Sequence, residues 1–136
     1  MNEAIELHDS ELGAVTLTDD TAILSLRPAN LHRSAGRPGS DAGSGWSQDA
    51  TITILGVTHA DVLSNPMPIT ISDGFLRIES HVYENIIPAP ANFAAAIELR
   101  LVPSNCDAIT IRGGHIKIEL SGPATYIEKF GASRVP

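Results

Sequence analysis

Apolar and polar residues alternate along much of the chain, the pattern of a strand with one dry and one wet face. Leu76, Ile78 and Val82 alternate with Arg77, Glu79, His81 and Tyr83. Ile97, Leu99 and Leu101 alternate with Glu98 and Arg100, and Ile116, Ile118 and Leu120 with His115, Lys117 and Glu119. Further strands are predicted near 2–7, 14–18, 21–27, 50–57, 68–72 and 107–112. They are punctuated at Asp19-Asp20, Asn65-Pro66, Asp73-Gly74, Pro103-Ser104-Asn105 and Gly113-Gly114. Asp73-Gly74 and Gly113-Gly114 have the composition of two-residue hairpin turns, which pairs 68–72 with 75–83 and 107–112 with 115–120. The segment ANFAAAIELRLV (91–102) also fits helical spacing through Phe93, Ile97, Arg100 and Leu101, and the reading favours a strand from 95. After Pro123, ATYIEKF reads as a last strand or a single helical turn.

Roughly nine short strands at this spacing predict an all-β fold, a single antiparallel β-sandwich or flattened barrel. The length of 136 residues suits one domain over 1–136 with a frayed tail at 131–136. A chain of this size buries roughly two-thirds of its unfolded surface. Aromatic residues make up only 4% of a chain that is 43% apolar, so the expected core is aliphatic.

The pattern lapses over 28–48, which predicts one long Gly-rich loop. Four of the eleven glycines fall between Gly36 and Gly45, just before the only tryptophan, Trp46. Neither a dinucleotide-binding spacing nor a Gly-Lys-Ser/Thr ending is present, so the loop is no nucleotide cradle and no cofactor is expected. Two readings stand. In one, Arg33 and Arg37 clamp a carboxylate or phosphate, Trp46 offers a stacking face, and Gln48 and Asp49 fix the ligand's orientation. In the other, Trp46 plugs the end of the sandwich and the arginines pair with acids of the first segment.

Charge adds a direction. The net charge is −7, and residues 1–20 carry Glu3, Glu6, Asp9, Glu11, Asp19 and Asp20 with no Lys or Arg. No concentrated basic surface is legible, which argues against nucleic acid as a partner. An acidic patch instead attracts a basic protein by long-range steering. The longest apolar runs fall well below the roughly 20 residues of a membrane span, so no membrane partner is expected. A lone cysteine, Cys106, and the lack of a leader-type segment make a reducing cytoplasm the expected compartment.

Five histidines raise the question of a metal, and His8-Asp9 and His59-Ala-Asp61 place an imidazole beside a carboxylate. No pair has zinc-site spacing, so no metal is expected unless His8, His32 and His59 converge in the folded sheet. His81 and His115 fall on wet faces, where Arg77, Glu79, Glu98, Arg100, Lys117 and Glu119 are expected to form cross-strand ion pairs. No serine lies in a Gly-x-Ser-x-Gly elbow, and a lone Cys106 reads more simply as a small buried apolar residue than as a nucleophile.

The stretch IELHDSELGAVTLTDDTAILSL (5–26), through Leu7, His8, Asp9, Ser10 and Leu12, resembles the opening of small bacterial all-β domains of unknown function. Some of these are described as immunity proteins of polymorphic toxin systems. The resemblance implies an all-β fold and an immunity-type role. Locally, Asp9 and Ser10 are expected to close a turn by accepting backbone N–H groups, with His8 beneath it, and Asp9 to tether Arg33 or Arg37. The leading expectation is therefore a non-enzymatic protein-binding domain with His8, Asp9, His32, Arg33, Arg37, Asp41, Trp46, Gln48 and Asp49 as its binding residues. A small-ligand site for a sugar or anionic metabolite, or a small hydrolase at the 31–50 loop, is the alternative. A domain that forms homo-oligomers is the third.

Overall fold

The computed structural model describes residues 2–62 and 66–131. The expected break at Asn65 and the expected frayed tail, apart from Gly131, lie outside the described residues. Within them the chain forms β1 (Asn2–Glu6), β2 (Glu11–Thr18), β3 (Thr21–Ser34), β4 (Gly43–Leu55), β5 (His59–Asp61), β6 (Ile69–Ile78), β7 (His81–Glu84), β8 (Ile86–Pro88), β9 (Ala91–Phe93), β10 (Ile97–Pro103), β11 (Ile109–Gly113) and β12 (His115–Phe130). The fold is all-β. Every pairing is antiparallel, in the order β5-β11-β10-β6-β2-β3-β4-β12-β9, with β1 on β3, β8 on β1 and β7 on β6. The two ends of this order do not pair, so the sheet does not close into a barrel. It folds over on itself in a sandwich-like way. Leu24 of β3, Ile52 and Ile54 of β4, and Ile116 and Ile118 of β12 share one buried cluster with Leu76 of β6, Leu99 of β10 and Ile111 of β11. The core is aliphatic, and Trp46, Tyr83 and Phe93 pack only at its margin.

Both expected glycine hairpins turn out to be something else. β6 runs straight through Asp73-Gly74, pairing with β2 at Ile69 and Thr70 and with β10 from Ile71 onward. Gly74 is required by a close approach, because a Cβ there would lie 2.5 Å from the carbonyl oxygen of Arg100. The reversal comes later, at Glu79-Ser80, where Ile78 opposes His81 and Glu79 takes a positive φ of 54°. Likewise β11 and β12 do not pair with each other. Gly113-Gly114 carries the chain from the β10 side of the sandwich to the β4 side. A Cβ on Gly113 would meet Cγ2 of Ile54 at 2.6 Å and the oxygen of Leu55 at 2.9 Å, so the crossing is tight.

The second correction concerns 28–48. β3 continues past Pro28 and β4 begins at Gly43, so the connection contracts to residues 35–42. Arg27 and Pro28 bulge out between the Leu26–Ala50 and Ala29–Gln48 pairs, a position where proline's missing N–H breaks no ladder bond. The segment 91–102 divides into β9 and β10, and ATYIEKF is strand.

On the outer face of the β6-β10-β11 layer, Glu98 stands opposite both Arg77 and Arg112. It accepts from Nη2 of Arg77 and, at 3.0 Å, from Nε of Arg112. The expected ion pairs therefore take the form of one nearly buried carboxylate held between two guanidiniums, which supplies the partner that a buried charge requires. Lys117 lies elsewhere, opposite Thr53 and Asn92.

The two adjacent glycines test the crossing. Gly113→Ala is expected to lower stability by about 1–3 kcal/mol through overpacking. Gly114→Ala, whose Cβ would have no neighbour within 4 Å, should stay within about 0.5 kcal/mol. Urea midpoints of the two variants measure the difference.

Candidate functional site

The far halves of β3, β4 and β12, with β1 alongside, form a ladder whose register decides which side chains meet. Glu3 opposes Arg33, Ala4 opposes His32, and Glu6 opposes Asn30. Leu31 opposes Trp46 and His32 opposes Gly45, while Trp46 and Gly45 in turn oppose Tyr126 and Glu128. Directly opposed residues share a face and successive residues alternate, so His32 and Arg33 project to opposite sides of the ladder. The residues expected to form a single site divide between two.

One face carries a row of stacked groups. Nε of Arg33 donates to Glu3 at 2.9 Å, and its guanidinium lies 4.4 Å above the ring of Trp46. Tyr126 meets Trp46 edge-on at 5.4 Å, and the indole N–H donates to Oγ of Ser44 at 2.8 Å. Arg33 is thus neutralised and Trp46 is covered on one face. The acid that pairs with Arg33 is Glu3, and not the expected Asp9.

The other face bears a cleft of about 260 Å³ lined by Glu6, Asp9, Asn30, His32, Glu128 and Phe130, among others. His32 is 4% exposed and lies between two partners. Its Nε2–H donates to Oε1 of Glu6, and its ring stacks on Phe130 with centroids 4.8 Å apart and 26° between planes. A carboxylate only accepts, so the proton of a neutral His32 sits on Nε2 and Nδ1 is left as an acceptor. That Nδ1 is buried and has no hydrogen-bond partner among the described residues. Gly45 makes room for the stack: a Cβ there would lie 2.9 Å from Cζ of Phe130. No Lys or Arg is among the described residues that line the cleft.

The rim comes from the turn between β1 and β2. Asp9 adopts a positive φ of 67°, which aspartate tolerates better than most residues. Ser10 N–H donates to the oxygen of Leu7 at 3.0 Å. Ser10 Oγ donates to the oxygen of Glu6 at 2.7 Å and accepts from the N–H of Asn30 at 2.9 Å. The buried serine therefore ties the turn to β3 instead of bonding two residues onward. His8 does not pack beneath the turn; it is half-exposed, with Nδ1 3.3 Å from Asp9 and 3.9 Å from Glu6.

The remaining expected site residues lie away from the cleft. Asp41 accepts from the backbone N–H of Arg37 at 2.5 Å, which closes the 35–42 connection locally. Ser34 Oγ secures that connection by donating to the oxygen of Ala42 at 2.7 Å and accepting from the N–H of Gly36 at 3.0 Å. Gln48 donates to the oxygen of Gly122 at 2.8 Å, and Asp49 is exposed opposite Ser121. His59 sits on β5, in the other layer of the sandwich, so His8, His32 and His59 do not converge. Among the described residues, no group of three His, Cys, Asp or Glu side chains is arranged to hold a metal. Nor is any helix long and apolar enough to cross a membrane.

Sequence reasoning missed Glu6, Glu128 and Phe130. Glu6 fell at the end of a predicted strand with nothing to mark it, while the other two belong to ATYIEKF, whose conformation the pattern left open. Comparison with known proteins adds no assignment: no family model, no curated protein and no solved structure matches the chain.

Ser34→Ala removes both ties of the 35–42 connection, whose partner groups on the exposed Ala42 and Gly36 can turn to water instead. It is expected to cost about 0.5–1.5 kcal/mol and to speed proteolytic cleavage within 35–42. Asp9→Asn should leave the cleavage pattern unchanged, since Asp9 touches neither Arg33 nor Arg37. Limited proteolysis of both variants checks the pair.

Proposed function

We propose that the protein is a non-enzymatic binding module whose acidic cleft receives a cationic group from a basic protein partner. One observation carries this reading: among the described residues the ionisable groups lining the cleft are the carboxylates of Glu6, Asp9 and Glu128 and the imidazole of His32, with no Lys or Arg. Such a lining favours a ligand rich in donors and positive charge, and the overall charge of −7 draws such a ligand in from a distance. Ile127, 50% exposed, lines the cleft and gives a macromolecular partner apolar surface to cover. The small volume suits one inserted side chain better than a cofactor-sized ligand, for which clefts of roughly 300–1,000 Å³ are usual. An immunity-type role, in which the partner is a basic toxin or enzyme held in check, fits this chemistry and the likeness of residues 5–26.

A second reading rests on the Glu6–His32 pair. A carboxylate that orients an imidazole is half of a general-base arrangement, as a small hydrolase requires. Among the described residues no hydroxyl or thiol completes it at Nδ1, which is why the binding reading stands first.

The test uses a basic octapeptide of alternating Lys and Arg titrated into the protein. Its affinity is expected to fall by about tenfold or more as salt rises from about 0.05 to about 0.3 M, and by about tenfold again in Asp9→Asn/Glu128→Gln. This double variant leaves the buried Glu6–His32 pair intact. Absent binding, or binding indifferent to both salt and the substitutions, contradicts the reading. Turnover of an ester, phosphate or glycoside panel that is lost in His32→Gln would favour the hydrolase instead.

A further inference from the structure

We infer that the open edge of β2 pairs with the same edge of a second copy of this chain, joining two sheets across a two-fold axis. The inference is independent of the binding reading above, and none of the residues that line the cleft belongs to this edge. β2 lies along β3 as far as Thr18, but β6 meets it only at Glu11 and Leu12. Among the described residues the outer side of 14–18 therefore pairs with no strand. A row of unpaired N–H and C=O groups is a template for another strand, and sheets ordinarily blunt such rows with short strands, bulges, proline or charge. Other edges of this sheet are blunted in that way: β5, β7, β8 and β9 are three or four residues long, and bulges interrupt β12. The stretch Ala14-Val15-Thr16-Leu17-Thr18 contains no bulge, proline or charged residue.

The residues of the edge select a second copy as its occupant. Antiparallel pairing about an axis at Thr16 sets Thr16 opposite itself, Val15 opposite Leu17 and Ala14 opposite Thr18. Leu17 and Ile23 are 48% and 39% exposed, which is unusual for large apolar side chains within paired strands. In the pair, Leu17 is covered by Val15 of the partner subunit. Ile23 stands opposite Thr16 in β3 and so flanks the paired threonines.

Charge completes the fit. Two copies of a chain with net charge −7 repel, so they meet best where acids are absent or matched. The stem of Arg27 lies along Gly13, where an added Cβ would stand 3.4 Å from it. Arg27 is exposed and makes no ion pair among the described residues. The paired register brings Gly13 opposite Asp19 of the partner subunit. Each Arg27 is thereby set beside the exposed Asp19-Asp20 turn of the other copy, twice by symmetry.

A five-residue ladder with these few apolar contacts falls below the roughly 1,200 Å² at which stable interfaces begin, so a dissociation constant on the order of 10–100 µM is expected. Sedimentation velocity on the full-length protein from about 5 to about 500 µM tests the inference, together with amide hydrogen exchange at both concentrations. The expected result is a passage from monomer to dimer, with exchange of 14–18 slowed about fivefold or more in the concentrated protein alone. Thr16→Lys places two ammonium groups at the axis from an exposed position. It should raise the dissociation constant at least about tenfold while the melting temperature of the dilute protein stays unchanged. Arg27→Gln should raise it by about threefold to tenfold, whereas Arg37→Gln, in the 35–42 connection, should leave it unchanged. A protein that stays monomeric throughout the range, a dimer indifferent to Thr16→Lys, or slowed exchange confined to other strands overturns the inference. If Thr16→Lys fails to fold, exchange of the unsubstituted protein decides: protection of 14–18 that grows with concentration supports the pairing, and protection that does not grow refutes it.

Discussion

The antiparallel pairing of β3 with β4, and of β4 with β12, is the constraint on which the rest of the structure depends. These three strands run from the core, where Leu24, Ile52 and Ile118 share one row, to the far ladder that bears the cleft. Because side chains alternate with period two, a slip of one residue would exchange the two faces of the ladder. The acid–imidazole pair and the arginine–tryptophan stack would then change sides. Bulges absorb the mismatches without losing the register: Arg27-Pro28 in β3, the stretch between Ser121 and Thr125 in β12, and Ile127 in β12. The last two also interrupt the outer edge of β12, which β9 covers only from Ile116 to Ile118, and so blunt it against uncontrolled strand addition.

Within that frame, much of the acidic first segment is committed internally. Glu3 holds Arg33, Glu6 holds His32, and Glu11 accepts from the hydroxyl of Thr70. These partly buried contacts fix the orientation of the side chains along the ladder. Asp9, Asp19 and Asp20 remain at the surface, and of these only Asp9 lines the cleft. The electrostatic character of the site is therefore set by position in the register as much as by the number of acids in the segment.

The all-β class and the aliphatic core were legible in the sequence, because alternation over 76–83, 97–101 and 115–120 is a direct record of which residues face the core. The turns were less legible. Asp73-Gly74 and Gly113-Gly114 have hairpin composition, yet their glycines answer to neighbouring backbone and side chains, and a local reading cannot see a close approach from a distant strand. The same blindness turned Gly43 and Gly45 into a loop: a Cβ on Gly43 would stand 2.0 Å from the oxygen of Arg33, and Gly45 lies under Phe130. His32 and Asp9 were picked out as candidates and line the cleft, whereas the ring of Trp46 turns to the opposite face. Their partners Glu6, Glu128 and Phe130 were hidden, since only the pairing of β12 with β4 carries residues 128–130 back beside residues 6 and 32.

The central claim is that the acidic cleft receives a cation. Mapping of amide shifts on the isotope-labelled protein as the basic octapeptide is added tests it most directly. Shifts centred on Glu6, Asp9, His32 and Glu128 are the predicted result. Shifts confined to another face of the sandwich would contradict the account.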